Sequence, residues 1–131
     1  MTTLQKGHCL WYIPDGYIPT VSSGQLESHE SICILNCTYE DAHIEVTVYF
    51  EDRDPIEKIG VVIPARRTKH VRTGSLAKNG ESIPKGVPYA MEVESNIPVI
   101  VQYSRLDATQ AENSLMTTMA FPYFGGDPNT I

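Results

Sequence analysis

Ile44-Glu45-Val46-Thr47-Val48-Tyr49-Phe50 alternates without a break, with Ile44, Val46, Val48 and Phe50 on one side and Glu45, Thr47 and Tyr49 on the other. A repeat of two is the repeat of a strand, so one face of this segment meets a core and the other meets water. Half-buried strands of this kind belong to antiparallel sheets that pack on one side only. Downstream, Glu51-Asp52-Arg53-Asp54-Pro55 reads as a charged turn and Lys58 to Ile63 as the next strand. Upstream, Ser31 to Asn36 is a short apolar run with no polar face, which predicts a strand either buried on both sides or central in its sheet. Thr38 to Ala42 between the two reads as a hairpin connection.

The same pattern extends to both ends. His8 to Ile13 is rich in aromatic and branched residues and runs into Pro14-Asp15-Gly16, a turn signal. Asn79-Gly80 and Lys85-Gly86-Val87-Pro88 bracket a turn-rich segment, Ala90 to Glu94 reads as extended, Asn96-Ile97-Pro98 as a break, and Val99 to Leu106 as a strand. Residues 107–120 carry mixed signals, and a short helical turn over Asp107 to Ala111 followed by a last strand is expected. Short strands at spacings of about 8 to 15 residues, punctuated by Pro and Gly, predict an all-β fold: an antiparallel, jelly-roll-like β-sandwich with little helix. It forms one domain over residues 1–120, and the tail 121–131 is expected to be loosely ordered or bound to a partner.

Composition narrows the function. The chain has 131 residues and a formal net charge of -6, which argues against nucleic acid as a partner, because neutralising phosphates takes a basic face. There is no basic-then-apolar leader and no long apolar run, so a cytoplasmic protein with reduced thiols is expected. Cys9, Cys33 and Cys37 are odd in number and fit no zinc spacing, so neither metal, disulfide nor other cofactor is expected. Ser28-His29-Glu30 contains the residue types of a catalytic triad, but in an extended chain Ser28 and Glu30 share a face that His29 does not. No catalytic residues are assigned and the protein is not expected to be an enzyme.

Positive charge is concentrated where negative charge is spread. Of ten Lys and Arg residues, four fall in Pro64-Ala65-Arg66-Arg67-Thr68-Lys69-His70-Val71-Arg72, directly after a run, residues 40–57, that holds seven of the 16 acids. Pro64 cannot donate to a ladder, so a central strand is expected to end or become an edge there. If residues 66–72 are extended, Arg66, His70 and Arg72 share one face, and Arg105 on another strand is a candidate contributor. Two readings stand: a face that grips a ligand or partner through guanidinium forks, or a salt-bridge lattice with the acidic run. Trp11, with Tyr12 and Tyr17 beside Asp15, is a further candidate contact, against the alternative that a lone Trp in a β domain packs in the core.

Several segments read together resemble the sensory rhodopsin transducer family. They are Gly16-Tyr17-Ile18-Pro19, Ser28-His29-Glu30, Cys33-Ile34-Leu35-Asn36, Glu40-Asp41-Ala42-His43, Val62 to Arg72, Ser95-Asn96-Ile97-Pro98, Gln102, Arg105-Leu106-Asp107 and Gln110-Ala111-Glu112-Asn113. The resemblance implies a cytosolic β-sandwich that assembles as a homotetramer and acts as a signalling or interaction module. The implied partner is a membrane photoreceptor, a sensory rhodopsin, met at its cytoplasmic face. The alternative it implies is a small-molecule binder without a rhodopsin partner, its ligand a small polar molecule such as a carbohydrate or anion.

Overall fold

A computed structural model of the protein describes residues 4–22, 26–110 and 114–123. The strands are β1 (His8–Tyr17), β2 (His29–Asn36), β3 (Ala42–Phe50), β4 (Ile56–Ile63), β5 (Arg67–Arg72), β6 (Ala77–Lys78), β7 (Glu81–Ser82), β8 (Pro88–Asp107), β9 (Ser114–Met119) and β10 (Phe121–Pro122). Among the described residues the one helical piece is a single 3₁₀ turn, Thr73–Ser75. The fold is the expected all-β sandwich of antiparallel sheets.

β8 organises it. From Tyr89 to Tyr103 the odd-numbered side chains turn inward, with Tyr89, Met91, Val93, Ser95, Val99, Val101 and Tyr103 buried. Its first half lies between β1 and β3 and its second half between β2 and β9. Two sheets, ordered β10-β1-β8-β3-β4 and β5-β2-β8-β9, therefore share one strand. The break expected at Asn96-Ile97-Pro98 is instead a change of partners. Pairing with β3 stops at Ser95 and pairing with β2 starts at Ile100, so Pro98 sits where no ladder hydrogen bond is asked of it. The turn expected at Pro14-Asp15-Gly16 is likewise a bulge inside β1, where Ile13 opposes Met91 and Gly16 opposes Tyr89.

The core lies between the sheets. Ile44, Val46 and Val48 of β3 are buried while His43, Glu45 and Tyr49 are exposed, as their alternation requires. β2 meets one of its two expectations and not the other. It is central in its sheet but covered on one face only, with Glu30, Ile32, Ile34 and Asn36 buried and Leu35 exposed. The segment 38–41 is a crossover and not a hairpin, since β2 pairs with β5 and β8 whereas β3 pairs with β4 and β8. Buried Asn36 fastens it. Its Nδ2 donates to the carbonyls of Glu40 (2.8 Å), Ile63 (3.0 Å) and Pro64 (3.3 Å), and its Oδ1 accepts from Thr38 N (3.0 Å) and Oγ1 (2.7 Å).

After β8, Asp107 turns the chain without a helix. Its Oδ1 accepts the N–H (3.0 Å) and hydroxyl (2.7 Å) of Thr109, and residues 108–110 are non-helical, whereas the part of the expected helical turn beyond 110 lies outside the described residues. The last strand is present as β9. Phe121 and Pro122 then pair with Tyr12 and Trp11 of β1, and the tail beyond Tyr123 lies outside the described residues.

Candidate functional site

The charged residues expected to act together are divided by the sheet that carries them. Arg72 opposes Ser31 and His70 opposes Cys33, on the outer face of β5 and β2; Arg105 opposes Glu30, on the inner face. Directly opposed residues in an antiparallel pair share a face, so Arg105 points away from His70 and Arg72. Arg66 leaves the set for a different reason. Its φ of +59° places it in the left-handed region, within the turn before β5, so the alternation begins only at Arg67. There Arg66 fastens the crossover. Its N–H donates to Thr38 O (3.0 Å), its guanidinium donates to Cys37 O (2.7 Å) and lies 4.9 Å from the Tyr39 ring centroid.

Trp11 belongs to the core. It is 4% exposed, and its indole N–H is shared between the carbonyls of His8 and Val99, each at 3.0 Å. Its neighbour Tyr12 lies on the outer face and donates to Glu92 (2.9 Å), whose other oxygen accepts from Tyr49 (3.1 Å). Chiefly through the hydrogen bond to Glu92, with burial and the carboxylate charge adding to it, the Tyr12 phenol is pushed up to about 12.

Arg105 completes a buried polar cluster. The Glu30 side chain is fully enclosed and accepts from Arg105 Nε (2.7 Å), from Tyr17 N (3.1 and 3.2 Å) and from the Tyr89 hydroxyl. Thr73 Oγ1 lies 2.9 Å from the Tyr89 oxygen, and Arg105 also donates to Tyr103 Oη (3.1 Å from the terminal nitrogen). Burial, reinforced by the Glu30 charge and its hydrogen bond, pushes the Tyr89 phenol far above its ordinary range, so it stays a donor. Gly16 makes room for it: a Cβ there would fall 2.4 Å from the Tyr89 ring. The cluster was not foreseen from the sequence, although Glu30, directly before the run Ser31 to Asn36, was its signal. It holds β1, β2 and β8 together. On one side, Arg105 and Tyr103 border a cavity of about 140 Å³ otherwise lined largely by apolar atoms of Ile13, Met116, Met119 and Phe121.

His70 and Arg72 face a different space. Among the described residues β4 and β5 each end a sheet, pairing with β3 and β2 respectively. Between their free edges runs an open groove of about 590 Å³, lined by Ile59 to Val62 and Lys69 to Arg72 and closed at one end by Ser75, Leu76 and Ala77. Lys69, His70 and Arg72 are exposed, and no Asp or Glu is among the lining residues. The lattice with the acidic run is not formed within the chain: β3 pairs with β4 and not with β5, and among the described residues no cation of 66–72 makes an ion pair with residues 40–57. On the opposite side, β9 is exposed along its whole length. Leu115 (72%), Met116, Met119 and Phe121 (64%) form an uncovered apolar edge. Cys9, Cys33 and Cys37 are free thiols, and no helix among the described residues is long and apolar enough to cross a membrane.

Comparison with known proteins agrees with this architecture. The family profile of the Anabaena sensory rhodopsin transducer matches residues 6–122. No curated protein matches the chain. Among solved structures, the protein designated 1070 from Thermotoga maritima is 41% identical and superposes with a TM-score of 0.82 over 93% of this chain and 100% of that one. The Anabaena sensory rhodopsin transducer is 43% identical, with a TM-score of 0.71 over 82% of this chain and 96% of that one. A profile match spanning both sheets, with these identities, places the chain in the Anabaena sensory rhodopsin transducer family.

Proposed function

We propose that the protein is a cytoplasmic signalling module that binds and does not turn over a substrate, docking the cytoplasmic face of a sensory rhodopsin. The observation that carries this reading is the groove between β4 and β5: open, continuous with two unpaired sheet edges, and rimmed by Lys69, His70 and Arg72 with no Asp or Glu among its lining residues. Such a surface suits a polypeptide partner better than an enclosed small molecule. Assembly as a homotetramer is part of the proposal, since a second copy laid on β9 would cover Leu115, Met116 and Met119 and abolish an exposed edge.

The test is capture of the protein by purified retinal-bound sensory rhodopsin in lipid nanodiscs. His70→Ala with Arg72→Glu should reduce capture at least about tenfold while melting temperature and mass stay as in the wild type. Wild-type protein that is not captured, or variants captured equally, would overturn the photoreceptor reading. Light scattering should give about four times the 14.6 kDa chain mass, and Leu115→Glu should lower it.

The cavity beside Arg105 favours a second reading, a small polar ligand such as a sugar or anion, because it pairs an apolar wall with two convergent polar groups. Its test is a thermal-shift screen, in which a ligand at 100 times its Kd adds about 2.7 kcal/mol to folding stability.

A further inference from the structure

The groove has a chemical polarity that goes beyond its openness, and it rests in the bare backbone of β4. His43 N donates to Asn96 Oδ1, on the β8 side of β3, so the backbone groups of His43 face away from β4. In an antiparallel pair opposed residues behave alike, and Val62 opposes His43; its N–H and C=O therefore point outward, away from β3. The Val62 carbonyl confirms the direction, because the ammonium of Lys69 reaches it across the groove at 3.5 Å. Alternation places the backbone groups of Gly60 on the same free edge. Nothing within the chain demands glycine there: its φ lies outside the left-handed region, and a Cβ would meet no atom within 4 Å. A glycine in a strand often marks a bulge or the close approach of a ligand or another backbone; the irregularity of this ladder falls at residues 57–58, short of Gly60, which favours the second reason.

We infer that the Gly60–Val62 edge of β4 accepts an extended acidic segment of a partner protein as an added strand. This deepens the docking reading above and rests on it for the location of the site. Lys69 blunts the edge in the free protein by standing where a partner's N–H would donate. An incoming strand replaces that weak contact with backbone bonds to Val62 and Gly60 and lays apolar side chains on Val61, Val71 and Leu76 at the groove floor. The released Lys69 ammonium and Arg72 then meet carboxylates. The absence of any acid from the groove lining is what selects an acidic segment over a basic one.

The probe is a fluorescein-labelled peptide of alternating valine and glutamate, about six residues long to match a common strand length. Fluorescence anisotropy should show saturable binding that weakens with salt, and the valine–lysine counterpart should bind at least about tenfold more weakly. Val62→Pro, which removes an edge donor that β3 does not use, should cost about tenfold or more in affinity, as should Lys69→Glu. A glutamate peptide N-methylated at alternate residues tests the same backbone bonds without altering the protein, and it should not bind. In amide exchange, the Val62 N–H should gain protection only with the unmethylated peptide.

Equal binding of the lysine or N-methylated peptide overturns the inference. So does a fall in oligomeric mass on Val62→Pro, since the occupant of the edge would then be a second copy. Loss of rhodopsin capture in Arg72→Glu without any peptide binding would leave docking standing and remove strand addition. Peptide binding without rhodopsin capture would do the reverse.

Discussion

Arg105→Met separates a buried charge from its partner while keeping the unbranched apolar stem of the side chain. Glu30 is completely enclosed and Arg105 is 24% exposed in its side chain. Removing one member of a buried pair leaves the other uncompensated, at a cost of roughly 3 to 5 kcal/mol. Water that reaches the partly exposed arginine site screens the remaining carboxylate, and Tyr17 N and Tyr89 still donate to it, which puts the expected loss near the lower end, about 3 kcal/mol. At about 4 °C per kcal/mol for a domain of this size, the melting temperature should fall by about 12 °C. Glu30→Gln keeps an acceptor for those two donors and should cost less, about 1 to 2 kcal/mol. Urea unfolding of both single variants and the double variant completes a cycle whose coupling should be about 1.5 to 2 kcal/mol. Additive effects, or an Arg105→Met protein within about 1 kcal/mol of wild type, would refute the claim that this buried pair helps to hold β2 to β8.

Three further outcomes follow from the same coordinates. Gly16→Ala drives a methyl group into the Tyr89 ring and should destabilise by about 1 to 3 kcal/mol in urea unfolding, an effect that Tyr89→Leu in the same chain should largely relieve by removing the obstructing ring. Asn36→Ala withdraws a donor from the buried Ile63 carbonyl and an acceptor from Thr38; a loss of about 2 to 3 kcal/mol is expected, with earlier hydrogen exchange at Ala65 and Arg66, whose N–H groups the crossover holds. Asp107 titrates below its ordinary value because the Thr109 N–H, and then the Thr109 hydroxyl, bind its charged form. A depressed folded-state value stabilises above the unfolded value of about 3.9 and is lost as pH falls through the folded one, so Asp107→Asn should flatten the acid limb of the stability profile below about pH 4.

The class of fold and most of its strands were legible in local pattern. Period-two alternation from Ile44 to Phe50 is a local property that only a sheet with one dry face satisfies, and the structure buries Ile44, Val46 and Val48 as that alternation demands. The end of β4 at Ile63, before Pro64, was equally local, since proline lacks the donor a continuing ladder needs. Family membership was legible too, because it rests on residue order and not on contacts.

Partner choice was not local; it depends on which strands meet in three dimensions. Pro98 and Pro14 look like breaks in one dimension; in three, each sits where β8 or β1 has no ladder partner to satisfy, so the strands run on. Arg66, His70, Arg72 and Arg105 look like one set, yet a left-handed residue and one opposed row send them to a turn, an outer groove and a buried pair. Glu30 reads as a polar residue beside a histidine until Tyr17, Tyr89 and Arg105, distant in the chain, converge on it. A side chain's face follows from its own strand, but what it meets there depends on which strands the sandwich brings alongside, and that is settled by long-range pairing that no local pattern contains.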